Sequence, residues 1–127
     1  MLEDFQRTRY DILRKDSGYN GIDSNFLAYY TQMPQGKSYQ RIQELADTIT
    51  SGDTTTIDKM LAIRDYFLSK DEFGQPLFQY TDNPGEPGLP GANRLDYFLF
   101  TNRKGYCAYY AGATLFMLRA LHIPARN

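Results

Sequence analysis

The 127-residue sequence holds one cysteine, one histidine and no tryptophan. A single cysteine cannot pair with itself, so a disulfide framework within the chain is excluded. A Cys/His zinc site takes about four ligands and is excluded with it; no metal or other cofactor is expected. Charge of one sign is lacking too. Lys and Arg number 14 against 15 Asp and Glu, a formal net charge of −1, which argues against a nucleic-acid binder. No stretch comes near the roughly 20 apolar residues of a membrane span, so direct membrane insertion is not expected. The start, Met1-Leu2-Glu3-Asp4-Phe5, is acidic and without the apolar core of a secretory signal; it reads as the edge of an excised piece. What is abundant is aromatic side chain. Eleven Tyr and eight Phe make up 15% of the chain, enough large apolar surface for the core of one small domain, or of part of a larger one.

Residues 1–25 read as an N-terminal extension and 26–127 as the N-terminal part of a truncated domain. In the extension, Leu2, Phe5, Ile12 and Leu13 fall near one helical face, and Asp16 to Gly21 supplies turn chemistry. Phe26-Leu27-Ala28-Tyr29-Tyr30 is a short apolar run that closes at Met33-Pro34, because the residue before proline disfavours helical backbone. Ser38 is the expected cap of a helix over 40–50, with Ile42, Leu45, Ala46 and Ile49 on one buried face and Gly52 beyond its end. A second amphipathic helix is expected over 57–69, with Thr54, Thr55 or Thr56 as N-cap and Asp58 in the first turn. Its apolar set is Ile57, Met60, Leu61, Phe67 and Leu68, flanked by Ile63 and Tyr66. Leu77 to Thr81 alternates as a strand does. The Pro/Gly-rich stretch 82–93 is a loop within the domain, not a linker between two. Leu95 to Phe100 is a short apolar helical turn, broken by Thr101 to Gly105.

The last element is expected over about 107–121. Ala108, Ala111, Leu115 and Leu118 form one face, yet Ala113, Phe116 and Met117 cover others, so the helix reads as central and buried. Pro124 confirms its stop. Cys107 falls at its N-terminus, just after Gly105. The first N–H groups of a helix lack internal partners and carry partial positive charge. Both effects favour a thiolate, and the same N–H groups suit an oxyanion forming on an attacked carbonyl. Gly105 is read as letting the chain turn into the helix, with Arg103 and Lys104 adding positive charge nearby. The bland alternative is a small buried side chain. His122 follows Cys107 by 15 residues, about 22 Å along a continuous helix. A base must stand within about 3 Å of its nucleophile, so His122 cannot serve Cys107 within one chain and is read as a helix terminus.

The run Arg103-Lys104-Gly105-Tyr106-Cys107-Ala108-Tyr109-Tyr110-Ala111, followed by Met117-Leu118-Arg119-Ala120-Leu121-His122-Ile123-Pro124-Ala125-Arg126, resembles the nucleophile helix of the transglutaminase-like superfamily. The upstream order of Met33-Pro34, two helices, Phe78 to Thr81 and Asp96 to Leu99 is similar to bacterial members. The resemblance spans roughly 26–126. It implies an α+β, cysteine-protease-like fold, of which these residues supply a mostly helical part with little strand. It implies a Cys-His-Asp arrangement with Cys107 as nucleophile and Gly105, Tyr106 and Tyr109 positioning a protein or peptide substrate. The family's His and Asp follow the Ile-Pro-Ala-Arg segment, so the base and its carboxylate are expected outside these residues. His122 stands where the family has Gly, and Tyr106 and Ala108 flank Cys107 where many members carry Trp.

Three readings stay open. The chain is the nucleophile-bearing part of a thiol acyl-transfer enzyme, peptidase, amidase or transglutaminase, inactive alone. Or it is a binding or scaffold module that keeps the fold without the chemistry. Or it is a helical interaction domain with a structural cysteine. With the catalytic helix uncovered, Ala108, Ala111, Leu115 and Leu118 are expected to drive self-association. The resemblance also implies an extracytoplasmic, periplasmic or cell-surface location.

Overall fold

Local side chains start most of the helices. The computed structural model describes residues 23–85, 87 and 93–126; the helix expected over 2–14 and the turn after it lie outside the described residues. Asp23 opens α1 (Ser24–Tyr30), its Oδ1 accepting from the N–H of Asn25 at 2.7 Å. The second helix, α2 (Lys37–Ile49), has its N-cap at Gly36, two residues before the expected one. Gly36, at φ +132°, turns the chain into it, and no side chain caps it. Ser38 therefore lies inside the first turn. The expected face is the one buried: Ile42 and Ala46 are fully enclosed, with Leu45 and Ile49 packed beside them. Thr55 caps α3 (Thr56–Phe67), accepting from the N–H of Asp58 at 3.2 Å while donating to its carboxylate at 2.7 Å.

The buried face of α3 is rotated from the expected one. Ile63 is enclosed, whereas Met60 and Leu68 are exposed. Both sides of this helix are apolar, so periodicity alone does not fix which one meets the core. The strand expected over Leu77 to Thr81 is two residues long, β1 (Gln79–Tyr80), with Phe78 buried just before it. Asn93 caps α4 (Arg94–Tyr97), which runs directly into a π-helical turn (Phe98–Asn102). Phe98 and Leu99 are buried there. The turn closes where Arg103 adopts a left-handed backbone, φ +54°, its N–H donating to Phe98 O at 2.9 Å. Then Lys104–Gly105 forms β2, a strand that the sequence pattern did not announce, in parallel with β1. Gln79 stands opposite Lys104 and Tyr80 opposite Gly105.

The long helix α5 (Cys107–Ala120) completes the fold. It packs most extensively on α2 and also touches α3, α4 and β2. Ala113, Met117 and Ala120 join Ile42, Ala46, Ile63, Phe78, Phe98 and Leu99 in one core. Four ring pairs, Phe67–Phe78, Phe78–Phe98, Phe98–Tyr110 and Phe67–Tyr110, meet edge to face or tilted with centroids 5.0–5.4 Å apart. No helix among the described residues is long and apolar enough to cross a membrane.

Candidate active site at the start of helix α5

Cys107 is presented by a short, rigid approach. The β1–β2 pair fixes Gly105, with the N–H of Thr81 donating to its carbonyl at 2.8 Å. Tyr106 follows in extended backbone as the N-cap, and no side-chain hydrogen bond caps the helix. The first N–H groups of α5 therefore keep their partial positive charge free of any capping side chain. Cys107 is the first helical residue and its thiol is exposed, unlike a core cysteine. The need for glycine at 105 is different from the turn read from sequence. Gly105 has no left-handed backbone; it is buried, and a Cβ there would lie 2.9 Å from Tyr109 Cβ and 3.0 Å from Phe98 Cε1. Glycine allows β2 to sit flat against these rings.

A groove of about 710 Å³ opens beside the cysteine. Its walls are Cys107, Tyr110 and Thr114 from α5; Met60, Ile63, Arg64, Phe67 and Leu68 from α3 and its C-cap; and Tyr80 from β1 with Phe78 just before it. Of the residues expected to position a substrate, Gly105 lies under Tyr109, and Tyr109 packs on Phe98 and Tyr106 at 5.6 and 4.9 Å between ring centroids. Gly105, Tyr106 and Tyr109 line no part of this groove among the described residues, whereas Tyr110 does. The reason is helical phase. Residues three apart share a face of a helix and residues two apart do not, so Tyr110 stands with Cys107 and Tyr109 turns away. The spacing of three from the cysteine was the available signal.

Charge is scarce around the groove. Arg64 is its one charged lining residue among those described, and its guanidinium meets Asp65 at 3.0 Å in the open. Lys104 is exposed, and Arg103 is half-buried with its Nε enclosed and without a hydrogen-bond partner. Burial pushes the Tyr66 hydroxyl above its ordinary pKa, against the lowering effect of the Arg103 charge. Tyr110 is raised as well, by burial first and then by Tyr80. No cluster of three or more metal-ligating side chains exists among the described residues.

The far end of α5 carries the histidine. His122 adopts φ +61° at the left-handed position of a Schellman closure. Its N–H donates to Arg119 O at 3.0 Å, and that of Ile123 to Leu118 O at 2.9 Å. Arg119 then ties down the departing chain, donating to Ala125 O at 2.8 and 3.0 Å and to Gln32 O at 3.3 Å. Cys107 and the end of α5 are about 20 Å apart along the axis, so the single histidine and the single cysteine are not a pair.

A family model described as the transglutaminase-like superfamily matches residues 43–127. The chain belongs to the transglutaminase-like superfamily. A protein-glutamine gamma-glutamyltransferase of Pseudomonas aeruginosa is 50% identical over 54 residues, 42% of this chain and 8% of that protein. Uncharacterized protein YebA of Bacillus subtilis is 32% identical over 108 residues, 84% of this chain and 14% of that protein. The solved periplasmic domain of TgpA from Pseudomonas aeruginosa, bound to ethylmercury, superposes with a TM-score of 0.66 at 33% identity, over 82% of this chain and 34% of that one. The same domain in a second structure gives a TM-score of 0.65. The chain thus spans a small share of its curated relatives and about a third of the solved domain. Its fold is the transglutaminase-like α+β fold, of which the described residues form a mostly helical part, and the superfamily is one of thiol acyl-transfer enzymes.

Proposed function

We propose that the chain carries the nucleophile segment of a bacterial thiol acyl-transfer enzyme acting on protein or peptide carboxamides. The observation that carries this is the exposed thiol of Cys107 on the uncapped first turn of α5, at the edge of an apolar groove. The Cys107 sulfur attacks the carboxamide carbon and a C–S bond forms. The oxyanion meets the first N–H groups of α5. The C–N bond then breaks, and the amide nitrogen leaves as ammonia or an amine with the proton that a base has taken from the thiol. Water or a second amine attacks the thioester and restores the thiol. The stretch that is 50% identical to a protein-glutamine gamma-glutamyltransferase supports a glutaminyl carboxamide as donor. The base and its orienting carboxylate are proposed to come from residues outside this chain, since His122 stands at the wrong end of α5. The solved periplasmic neighbour supports an extracytoplasmic location.

The test is a chimera in which this chain's matching segment replaces that of the Pseudomonas aeruginosa transferase. Ammonia release from a glutamine peptide is expected, and Cys107→Ala should remove it by about a thousandfold or more. The isolated chain should release none. Ammonia release that persists in the Cys107→Ala chimera would refute the proposal. We further propose that the isolated chain self-associates through the open face of α5 around Ala111, Leu115 and Leu118. Light scattering should show a concentration-dependent dimer, which Leu118→Glu abolishes; a strict monomer at all concentrations counts against it.

A further inference from the structure

We propose that the groove between α3, β1 and α5 receives a large apolar or aromatic side chain flanking the reacting carboxamide of the acyl donor. This rests on Cys107 being the nucleophile. Six large apolar side chains are exposed among the described residues, and three of them, Met60, Leu68 and Tyr80, stand in this one groove at 43, 69 and 61% exposure. Apolar surface gathered in one place marks a binding site, whereas scattered apolar residues do not. The volume of about 710 Å³ falls within the range of ligand pockets, about 300–1,000 Å³.

Cys107 is itself part of the wall, and this decides the occupant. A glutamine whose carboxamide sits at the sulfur brings its sequence neighbours along, each about 3.5 Å further along the chain. Those neighbours meet the groove. Its charge selects among them. Arg64 already has Asp65 at 3.0 Å, so a flanking carboxylate gains no free partner and would lose hydration. An aromatic ring gains aromatic neighbours instead, because Tyr80 and Tyr110 both line the groove, their rings stacked at 14° between planes and 6.1 Å between centroids. The register of the sheet holds Tyr80 there: it pairs with Gly105, two residues before the nucleophile.

The single cysteine makes the test direct on this chain alone. Second-order rates of Cys107 alkylation are measured by intact mass with iodoacetamide, N-benzyl iodoacetamide and iodoacetate, at low protein concentration. In each reaction a C–S bond forms, the C–I bond breaks, iodide leaves and the thiol proton passes to buffer. The benzyl-to-parent rate ratio should be about tenfold higher in the folded chain than in urea. Iodoacetate should show no such gain. Leu68→Glu and Tyr80→Ser should each reduce the benzyl ratio by about threefold or more. Phe73→Ser, at an 80% exposed residue outside the groove, should leave it unchanged. Equal ratios in the folded and unfolded chain, or a ratio that survives Leu68→Glu, overturn the inference. So does a ratio that vanishes as protein concentration rises, since a second copy would then fill the groove. An unchanged ratio beside a chimera that still needs Cys107 removes the groove's role and leaves the nucleophile. A raised ratio beside a chimera indifferent to Cys107→Ala refutes the proposed reaction instead.

Discussion

The two faces of α5 are built to opposite ends. The back face, Ala113, Met117 and Ala120, is no more than 5% exposed and is pressed into the core. The front face begins with Cys107, Ala108 and Ala111, all exposed. It continues through Thr114 and Leu118 along a second groove of about 360 Å³ that also reaches Ala125 and Arg126. One helix thus carries core packing on one side and an exposed cysteine on the other. Packing on the back holds the first turn at a fixed place, which is what the proposed nucleophile needs and what a loop supplies less well.

The largest expected effect separates the faces directly. Met117→Ala should lower unfolding free energy by about 2–5 kcal/mol, whereas Ala111→Ser should change it by less than about 0.5 kcal/mol. Urea denaturation of both variants measures this, and equal losses would dissolve the distinction. Gly105→Ala comes next. A methyl group 2.9 Å from Tyr109 Cβ forces strand and helix apart at a cost of about 1–3 kcal/mol. It should also change the alkylation rate of Cys107, because the displaced strand leads into this cysteine.

Alkaline pH should loosen the wall shared by core and groove. Tyr66 and Tyr110 have raised pKa values in the folded chain, so the folded state holds their protons more tightly than the unfolded state. That contribution is present below the ordinary tyrosine pKa of about 10 and is lost as pH rises through the raised values. Stability should therefore fall above about pH 10, with tyrosinate absorbance showing late-titrating residues that Tyr110→Phe diminishes. The smallest effect lies at the far end of α5. His122→Gly should stabilise the chain by about 1 kcal/mol, by relieving the left-handed backbone at φ +61°. Thermal unfolding reads it, and a loss would show that the imidazole contributes to the helix end.

Much of this was legible in sequence because it is local. The stripe Ile42, Leu45, Ala46, Ile49 could only be one helix face, Thr55 with Asp58 announced a helix start, and Cys107 after Gly105 announced another. The distance argument that separated His122 from Cys107 needs only a continuous helix, and α5 is continuous. What was not legible depends on phase and packing between elements. Met60 and Ile63 are both apolar, and only the placement of α3 against α5 decides that Ile63 is enclosed and Met60 lines a groove. Tyr109 and Tyr110 are alike in type, and their different fates follow from which side of α5 meets β1. The strand at Lys104–Gly105 has no alternation to betray it, because its partner Gln79–Tyr80 makes it a strand. The sequence reads Gly105 as the turn into the helix, whereas the close approach of Tyr109 and Phe98 is what requires a glycine there.

The most direct measurement is intact mass of the chimera quenched during turnover of a glutamine peptide. The expected result is an acyl adduct on Cys107, with the mass of the peptide less ammonia, which disappears on hydroxylamine treatment. Steady turnover with Cys107 unmodified, and undiminished in Cys107→Ala, would contradict it.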